Sequence, residues 1–484
     1  MTDSLFVKCI CTLILSVMLG AVAFSRYGSD LYNDNPDQQR YLPYLNGLLL
    51  PTCMISICVV GTAIYGFQDT FESILPMCFS IFAHISFYYI FLLLLKKPLQ
   101  KYLCARSCAM LWILPNYLYV IFNRTTPLAT PKFVLYISKT ALWVLSAIWF
   151  AGFIAVITHA YIQHFQFRKE ILKDAADVTD VDVRRVWDAE IVNARIKKPH
   201  YKLLVSQAVT APLSIGFFRK TILVVLPHTR YTSEELALIF RHELIHISRG
   251  DSSNKFFMVF CKAMCWFNPL MWMGMKRGAE DMELSCDETV LIDSNDETRK
   301  AYASLLLNSA QDSRGFTTCL ASSAASVRYR LKNIIAYKDK NTGVILIAII
   351  SFIMLMTCGQ IALTFDRSTV REEVTRITGI TSISYDDISG TNFISDGQRY
   401  GNHDRNDEAL IDYIMNLNIA KMNGNYEFSQ GDDYLLIIVG SDASFAIEMN
   451  PNIMKIVPLG KTSNPTKYYH VQDDIDWSYL ASLL

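Results

Sequence analysis

Long apolar runs constrain what this chain can fold into more than any other feature of its sequence. They lie at residues 5–24, 47–67, 75–96, 107–123, 135–160 and 343–364. Each comes close to the roughly 20 residues that a helix needs to cross the hydrocarbon core of a bilayer. Only 19% of the residues are charged, against about 25% in soluble proteins. The runs predict a polytopic α-helical membrane protein. The first run also fits a signal peptide, but the later runs favour a span.

Basic residues beside these runs predict the orientation of the chain, since short cytoplasmic loops are rich in Lys and Arg. Four basic residues lie between positions 96 and 106, and others lie near both ends of the segment 161–342. Both regions are therefore expected in the cytoplasm. Residues 365–484 contain 18 Asp and Glu against 9 Lys and Arg and no Cys. This acidic segment is expected outside the cell. The linker 25–46 leaves the orientation of the first two spans open.

A motif for metal chemistry lies at His242-Glu243-Leu244-Ile245-His246. On an α-helix His242 and His246 lie one turn apart on the same face, so both imidazoles can reach one metal ion. Glu243 lies beside them and can accept a proton from a water molecule that the metal activates. The alternative is a surface helix that happens to carry two histidines and an acid. The motif therefore needs support from the surrounding sequence.

That support is a complete helix signature around the motif. Thr232 and Glu235 have the spacing of a capping box, which predicts the start of the helix. Apolar residues from Leu236 to Ile247 recur at helical spacing, and Gly250 is a plausible helix end. The two histidines are thus predicted near the C-terminal end of a capped amphipathic helix.

A third protein ligand is expected, since catalytic zinc usually has three protein ligands and one open position. The next predicted helix, at 269–292, contains an acidic run at 280–288. Glu283 and Asp287 are four residues apart and share a helix face, so one could bind the metal while the other orients an imidazole. A solvated acidic face is the alternative. Glu280, Asp287 and Cys286 stay open as ligands beside Glu283.

Taken together, these motifs resemble those of the membrane metallopeptidases of the BlaR/MecR antirepressor type. The resemblance covers roughly residues 79 to 364. It rests on the following stretches: Pro212–Gly216, Ile222–Pro227, His242–His246, Arg249-Gly250-Asp251, Trp266–Pro269 and Glu283-x-x-Cys286-Asp287.

The resemblance implies roles for individual residues. It implies that His242, His246 and Glu283 bind Zn²⁺ and that Glu243 is the general base. Asp287 and Asp251 would contact the ligating side chains and orient them, without binding the ion. The strand Ser214-Ile215-Gly216 would lie at a sheet edge and pair with an extended substrate.

One departure from the family concerns the C-terminal part. The β-lactam sensors end in a penicillin-binding domain with a Ser-x-x-Lys motif. Residues 365–484 contain no Ser-x-x-Lys and are too few for that domain, so β-lactam sensing is not supported. Instead the pattern predicts a small α+β domain. Its helices are expected at 406–422 and 473–484, and its strands at 434–439, 445–449 and 453–457.

The predicted architecture has four parts. Residues 1–160 form about five transmembrane helices, and 161–342 form a cytoplasmic, gluzincin-like zinc peptidase domain that is mainly helical with a small β-sheet. Residues 343–364 form the last transmembrane helix, and 365–484 an extracellular α+β sensor domain. A bacterial, multi-pass protein of the cell membrane is expected.

The expected function is signal transduction by proteolysis. A ligand outside the cell would switch on a zinc endopeptidase that cleaves a cytoplasmic protein, such as a transcriptional repressor, and the chain itself. No direct nucleic-acid partner is expected. One alternative is a membrane quality-control peptidase of the HtpX type, and another is a receptor with a structural metal site. The basic stretch 328–332 is interpreted as a juxtamembrane segment that could bind anionic lipid headgroups or contain a self-cleavage site.

Overall fold

The computed structural model of the chain describes the greater part of the sequence. The described residues are 9–19, 49–121, 131–194, 201–216, 221–292, 294–308, 317–319, 324–336, 338, 340–379, 388–395, 398–400, 407–423, 426, 433–439, 445–459 and 466–483.

Helices dominate the first three quarters of the chain. They are α1 (Cys9–Leu19), α2 (Leu49–Tyr65), α3 (Phe67–Tyr102), α4 (Ala105–Ile113), α5 (Leu118–Ile121), α6 (Lys139–Asp174), α7 (Val181–Asn193), α8 (Ser233–Arg249), α9 (Asp251–Met264), α10 (Pro269–Val290), α11 (Asp296–Asn308), α12 (Ala324–Ile335), α13 (Val344–Thr357), α14 (Val370–Thr378), α15 (Asp407–Met415) and α16 (Trp477–Leu483).

The strands form two sheets. They are β1 (Phe133–Tyr136), β2 (Ala176–Asp177), β3 (Lys202–Val205), β4 (Leu213–Ile215), β5 (Leu223–Leu226), β6 (Thr317–Cys319), β7 (Ile361–Thr369), β8 (Ile388–Ser395), β9 (Gln398–Tyr400), β10 (Asn418–Met422), β11 (Tyr434–Val439), β12 (Phe445–Met449), β13 (Ile453–Pro458) and β14 (Lys467–Val471). A five-stranded sheet has the order β2-β3-β5-β4-β6, and a nine-stranded sheet has the order β1-β7-β10-β14-β13-β12-β11-β8-β9.

Two helices of the described residues, α3 and α6, are long and apolar enough to cross a bilayer. Each has 36 residues, which corresponds to about 54 Å at 1.5 Å per residue. The helices α1, α2 and α13 are also apolar but shorter. These five helices overlap five of the six predicted runs.

Two of the predicted runs differ from the structure. The run at 107–123 is not one helix, because a 3-10 turn at Leu114–Tyr117 with a proline at its start separates α4 from α5. Proline lacks the N–H that a continuing helix needs. Most of α4 is buried, and the helix packs along α10. The run at 343–364 ends as a helix at Thr357, and its last residues belong to β7.

The five-stranded sheet packs beside the helix that carries the metal motif. Strands β3 and β5 are parallel, and β4 pairs with β5 in the antiparallel direction. The outer side of β4 pairs with β6, where Ser214 lies opposite Thr318. The prediction that β4 lies at a sheet edge is therefore wrong for the described sheet. The strand β6 lies between α11 and α12 along the chain.

The nine-stranded sheet corrects the outline of the predicted C-terminal domain. Its first strand, β1, comes from the segment just before α6 and pairs in parallel with β7. The helix predicted at 406–422 ends at Met415, and residues 418–422 are β10. Strands β11, β12 and β13 lie where they were expected, and α16 begins at Trp477.

The two sheets lie at opposite ends of the long helices. Near the start of α3, the backbone carbonyl of Glu72 accepts a hydrogen bond from the side chain of Asn423, which follows β10. Near the end of α3, Gln100 donates to Asp281 of α10 at 3.1 Å. Asp174, the last residue of α6, accepts a hydrogen bond from Ser206 after β3 at 2.6 Å. The helices α3 and α6 therefore connect the nine-stranded sheet with the part of the chain that carries the metal motif.

Candidate metal centre

Helix α8 holds the metal motif as the sequence predicts. Thr232 accepts a hydrogen bond from the Glu235 backbone while the Glu235 side chain accepts one from the Thr232 backbone, which completes the capping box. Gly250 ends the helix in the left-handed conformation, with φ of 69°, where glycine carries no Cβ penalty. His242, Glu243 and His246 are all fully buried. The local sequence thus fixes the helix, and packing removes its functional face from water.

Three donor atoms converge at this face. The Nε2 atoms of His242 and His246 are 3.1 Å apart. Helix α10 brings Glu283 to them, with Oε2 at 3.4 Å from His246 Nε2 and 3.8 Å from His242 Nε2. Ligand atoms bound at 2.0–2.1 Å to one tetrahedral metal ion lie about 3.3 Å apart. The spacing of the three atoms therefore fits a single ion, as expected for His242, His246 and Glu283.

Asp251 holds the imidazole of His246 through the Nδ1 atom of the ring. Its Oδ2 lies 2.7 Å from His246 Nδ1, and its Oδ1 accepts a hydrogen bond from Asn254 at 3.0 Å. A carboxylate at Nδ1 keeps the proton on that nitrogen, so Nε2 is the atom that can bind a metal ion once its own proton is released. Burial opposes a charge on His246, but the Glu283 and Asp251 carboxylates favour it, and the pKa of His246 lies well above its usual value. The surroundings of His246 thus favour positive charge at this point.

The imidazole of His242 is held by two residues in series, Tyr302 and then Asp287. The Tyr302 hydroxyl lies 2.9 Å from His242 Nδ1 and 2.7 Å from Asp287 Oδ1. A phenol carries one proton. If Tyr302 donates it to Asp287, the hydroxyl oxygen accepts the proton of His242 Nδ1. Burial, with the charges of His246 and Arg330, holds the pKa of His242 well below its usual value, so this imidazole is neutral and its Nε2 offers a lone pair.

The Nε2 atoms of the two imidazoles face each other across 3.1 Å and form a hydrogen bond. The raised pKa of His246 places a proton between these nitrogens, and a metal ion that binds both would displace it. Oε2 of Glu283 is also buried and accepts no hydrogen bond from the described residues. Buried polar atoms without partners are rare in native proteins and mark an unfilled role. The donor set thus fits a divalent metal ion.

Lys255 of α9 and Arg330 of α12 add positive charge around the carboxylates. Lys255 Nζ lies 2.8 Å from Glu283 Oε1, which leaves Oε2 directed toward the histidines. Burial opposes ionisation of Glu283, but Lys255, His246 and Arg330 outweigh it and hold its pKa well below the usual range. Arg330 grips Asp287 through Nε at 2.6 Å and Nη2 at 2.5 Å. The Glu283 carboxylate is therefore ionised.

Cys286 is a competing ligand. Its sulfur lies with one donor atom each of His242 and His246 in a group in which all atoms are within 4.8 Å of one another. However, the thiol donates to the His242 carbonyl at 3.4 Å, and burial raises its pKa. Metals bind the thiolate rather than the thiol. The ionised and otherwise unbonded Oε2 of Glu283 is the better donor.

The predicted substrate strand is near the motif but is already paired. Ser214 and Ile215 are buried, and β4 lies against α8. Gly216 has φ of 148°, and a Cβ there would come within 2.6 Å of the Thr221 carbonyl oxygen. Only glycine allows this close approach between β4 and β5. The side of β4 that was expected to take a substrate carries β6 of the same chain.

Sequence reasoning missed the roles of Tyr302, Lys255 and Arg330. Arg330 lies in the basic stretch that was interpreted as a juxtamembrane segment for lipid headgroups, yet it is fully buried beside the metal motif. That interpretation is wrong for Arg330, although Arg328 of the same helix is exposed. A burial signal was present, because Val327, Arg330 and Ile334 recur at helical spacing on one face.

Two comparisons with known proteins cover part of this chain. Residues 118–335 match the family described as BlaR1 peptidase M56, and this segment contains all the residues of the site. Over 133 residues the chain is 28% identical to the protein named Regulatory protein BlaR1 of Bacillus licheniformis. That match covers 27% of this chain and 22% of the relative, so the chain is matched over about a fifth of the relative's length.

Proposed function

We propose that this chain, whose residues 118–335 match the BlaR1 peptidase M56 family, is a membrane-embedded zinc endopeptidase that transmits a signal. The family implies a hydrolase of the metallopeptidase type. The observation that carries the proposal is the convergence of His242, His246 and Glu283 donor atoms within 3.8 Å of one another, with the buried Glu243 on the same helix. Zinc is the expected ion because it prefers tetrahedral sites of imidazole and carboxylate.

Each residue then has a separate task. His242, His246 and Glu283 would hold the ion, and Asp251 and Tyr302 would orient the imidazoles. Zinc, when bound, supplies a Lewis acid that lowers the pKa of a coordinated water to about 7. Glu243 would accept the proton of that water as general base and return it to the amine that leaves the cleaved bond.

The pairing of β6 with β4 suggests how a substrate is held. β6 is an extended segment of this chain that adds to the sheet in the antiparallel direction. Backbone pairing of this kind holds a peptide extended and is independent of its side chains. We infer that a substrate peptide takes the place of β6, and that the chain can cut itself in the stretch 309–323. Only residues 317–319 of this stretch are among those described. The stretch 328–332 is a poorer candidate, since Arg330 is buried in a helix.

The contacts at the two ends of α3 and α6 support an outside sensor and an inside peptidase. The nine-stranded sheet and the metal centre are separated by helices that are each long enough to cross a bilayer. With the basic loops on the side of the metal centre, the C-terminal domain would lie outside the cell and the peptidase in the cytoplasm. A signal would then pass along α3 and α6 as well as α13. A cytoplasmic protein, such as a repressor, is the proposed substrate.

One observation favours a second candidate, a receptor with a structural metal site. Structural zinc sites are closed by a fourth protein ligand, and Cys286 lies close enough to both histidines to supply one. In that case the ion would be retained but no peptide bond would be cut.

Conversion of Glu243 to Gln separates the two candidates. The full chain would be produced in bacterial membranes, and fragments would be detected with tags at both ends and located by mass spectrometry. The peptidase proposal expects self-cleavage within 309–323 in the wild type, and zinc retention without cleavage in Glu243→Gln. Glu234→Gln, an exposed glutamate of the same helix, is the control and should cleave normally. Equal cleavage in wild type and Glu243→Gln would contradict the role of Glu243. Zinc retention with no cleavage of chain or added repressor in the wild type would favour the structural site.

A further inference from the structure

Arg330 is a charged residue in a place where charge is costly. It is the largest fully buried side chain among the described residues, and it comes from α12 rather than from the helices that carry the metal motif. A buried guanidinium is tolerated only when it is paired and hydrogen-bonded. Its Nε and Nη2 contact the two different oxygens of Asp287 at 2.6 and 2.5 Å. This two-point contact fixes the plane and position of the Asp287 carboxylate.

The contacts of Arg330 lead through Asp287 to the first histidine of the motif. Asp287 Oδ1 also receives the Tyr302 hydroxyl at 2.7 Å, and that hydroxyl lies 2.9 Å from His242 Nδ1. The fixed Asp287 oxygen accepts the hydrogen bond of the phenol, so the phenol oxygen is the acceptor for His242 Nδ1. The His242 ring is then held with its proton on Nδ1 and its lone pair on Nε2. A second guanidinium nitrogen, Nη1, lies 3.8 Å from Glu283 Oε2.

We propose that Arg330 is a positioning residue for the metal centre: through Asp287 and Tyr302 it holds the His242 imidazole in the tautomer and orientation that bind the ion. The proposal deepens the proposed function and rests on it for the identity of the ion. Asp287 thereby acquires a defined role, since it joins Arg330 to Tyr302.

The location of Arg330 links this role to the membrane part of the protein. Tyr329, the preceding residue, donates to Asp281 of α10 at 2.8 Å, and Asp281 also accepts from Trp112 of α4 at 2.9 Å. The connector from α12 to α13 is bonded to the connector between α3 and α4, through Asn341 with Tyr102 and Cys104. Hydrogen bonds therefore link α12 to α10 and, through Asp281, to α4. They also link the connector that follows α12 to the connector between α3 and α4. A shift of α12 relative to α10 would move Arg330 and weaken the hold on His242.

The test measures zinc affinity rather than activity alone. The full chain, purified in detergent, would be titrated with zinc against a chromophoric chelator. We expect Arg330→Gln and Tyr302→Phe to bind zinc 10- to 100-fold more weakly, the range for loss of a residue that supports a ligand. Arg330→Lys should lie between these and the wild type, because an ammonium cannot grip both oxygens at once. Arg328→Gln, which changes an exposed arginine on the same helix, should bind as the wild type does.

Two further readouts separate positioning from general stability. The visible spectrum of the cobalt-substituted protein reports ligand geometry, and it should change in Tyr302→Phe and Arg330→Lys while their circular dichroism and melting temperature stay near wild type. Zinc binding by Arg330→Gln combined with Asp287→Asn should be little weaker than by Asp287→Asn alone, because Arg330 contacts Asp287 at 2.5 and 2.6 Å but approaches Glu283 only to 3.8 Å.

Some outcomes would overturn the proposal. Wild-type affinity and cobalt spectrum in both Arg330→Lys and Tyr302→Phe would do so, even if Arg330→Gln failed to fold. The proposed function fails differently, when Glu243→Gln still cleaves or the zinc-bound wild type cleaves nothing. Such a failure concerns cleavage only, so the zinc affinities of the Arg330 variants would still test the positioning role.

Discussion

Lys139, the first residue of α6, forms an ion pair with the buried Glu72 of α3, with Nζ and Oε1 at 2.8 Å. The same lysine lies 3.6 Å from Asp366 of β7, and Lys421 of β10 reaches Asp366 at 3.0 Å and Glu72 at 3.9 Å. Positive and negative side chains thus alternate where the C-terminal sheet meets the ends of α3 and α6. This junction lies at the opposite end of both helices from the metal centre.

Conversion of Glu72 to Gln should loosen this junction. The change removes one charged partner from two lysines, and a hydrogen bond to a charged group typically contributes about 1.5–3 kcal/mol. We expect a lower melting temperature in detergent and faster proteolytic release of the C-terminal domain. Asp69→Asn changes an exposed residue of the same first turns of α3 and should have little effect. Equal release rates in the two variants would show that the ion pairs do not hold the domain.

Asp366 should give the junction a dependence on acid pH. Burial opposes its ionisation, but the hydrogen bond and charge of Lys421, with the charges of Lys139 and Arg376, outweigh it and hold the pKa of Asp366 below its usual range. A carboxyl with a lowered pKa in the folded state stabilises that state above its unfolded pKa of about 3.9. This contribution is lost as pH falls through the lower, folded value.

The stability difference between wild type and Asp366→Asn should therefore be largest near neutral pH and shrink below about pH 4. Asn tolerates the left-handed backbone at this position, where φ is 58°. Thermal unfolding in detergent between pH 7 and 3 measures the difference. Asp412→Asn, at an exposed ion pair with Arg371, is the control and should show a smaller difference. A difference for Asp366→Asn that grows on acidification would contradict the lowered pKa.

The local parts of this fold could be predicted from sequence, and the long-range parts could not. The capping box at Thr232 and the spacing of His242 and His246 are local patterns, and α8 follows them. The edge position of β4 was predicted wrongly because its partner, β6, lies about 100 residues further along the chain and has no signal of its own. β1 joins β7 across an even longer separation. Such pairings depend on how the helices between them fold back.

The residues of the candidate site show the same difference between local and long-range features. Glu283 and Asp287 were found because their spacing puts them on one face of a helix that follows the motif. Arg330 was interpreted as a lipid-facing residue because a basic stretch beside an apolar run is usually juxtamembrane. Its burial follows from the docking of α12 on α10, which brings it to Asp287. Sequence spacing alone does not predict the contact between Arg330 and Asp287.

The choice between Glu283 and Cys286 as third ligand can be decided by metal analysis. We expect Glu283→Gln to lose most of its zinc on dialysis, since a neutral amide replaces the charged donor. Cys286→Ser should retain zinc, because its thiol is engaged with the His242 carbonyl. Glu297→Gln, an exposed change on α11, controls for purification losses. The opposite result, with loss only in Cys286→Ser, would assign the third position to the cysteine.

Membrane sidedness is testable with single cysteines on exposed residues. Ser233 begins α8 near the metal centre, and Asp474 follows β14 in the C-terminal domain; both are exposed. With the basic loops in the cytoplasm, Asp474→Cys should react with an impermeant thiol reagent in intact cells, and Ser233→Cys should react only after permeabilisation. The natural cysteines all lie at or before Cys358, so the unaltered chain gives the background. Labelling of Ser233→Cys but not Asp474→Cys in intact cells would invert the orientation. An outside signal could then not reach an inside peptidase through α3 and α6.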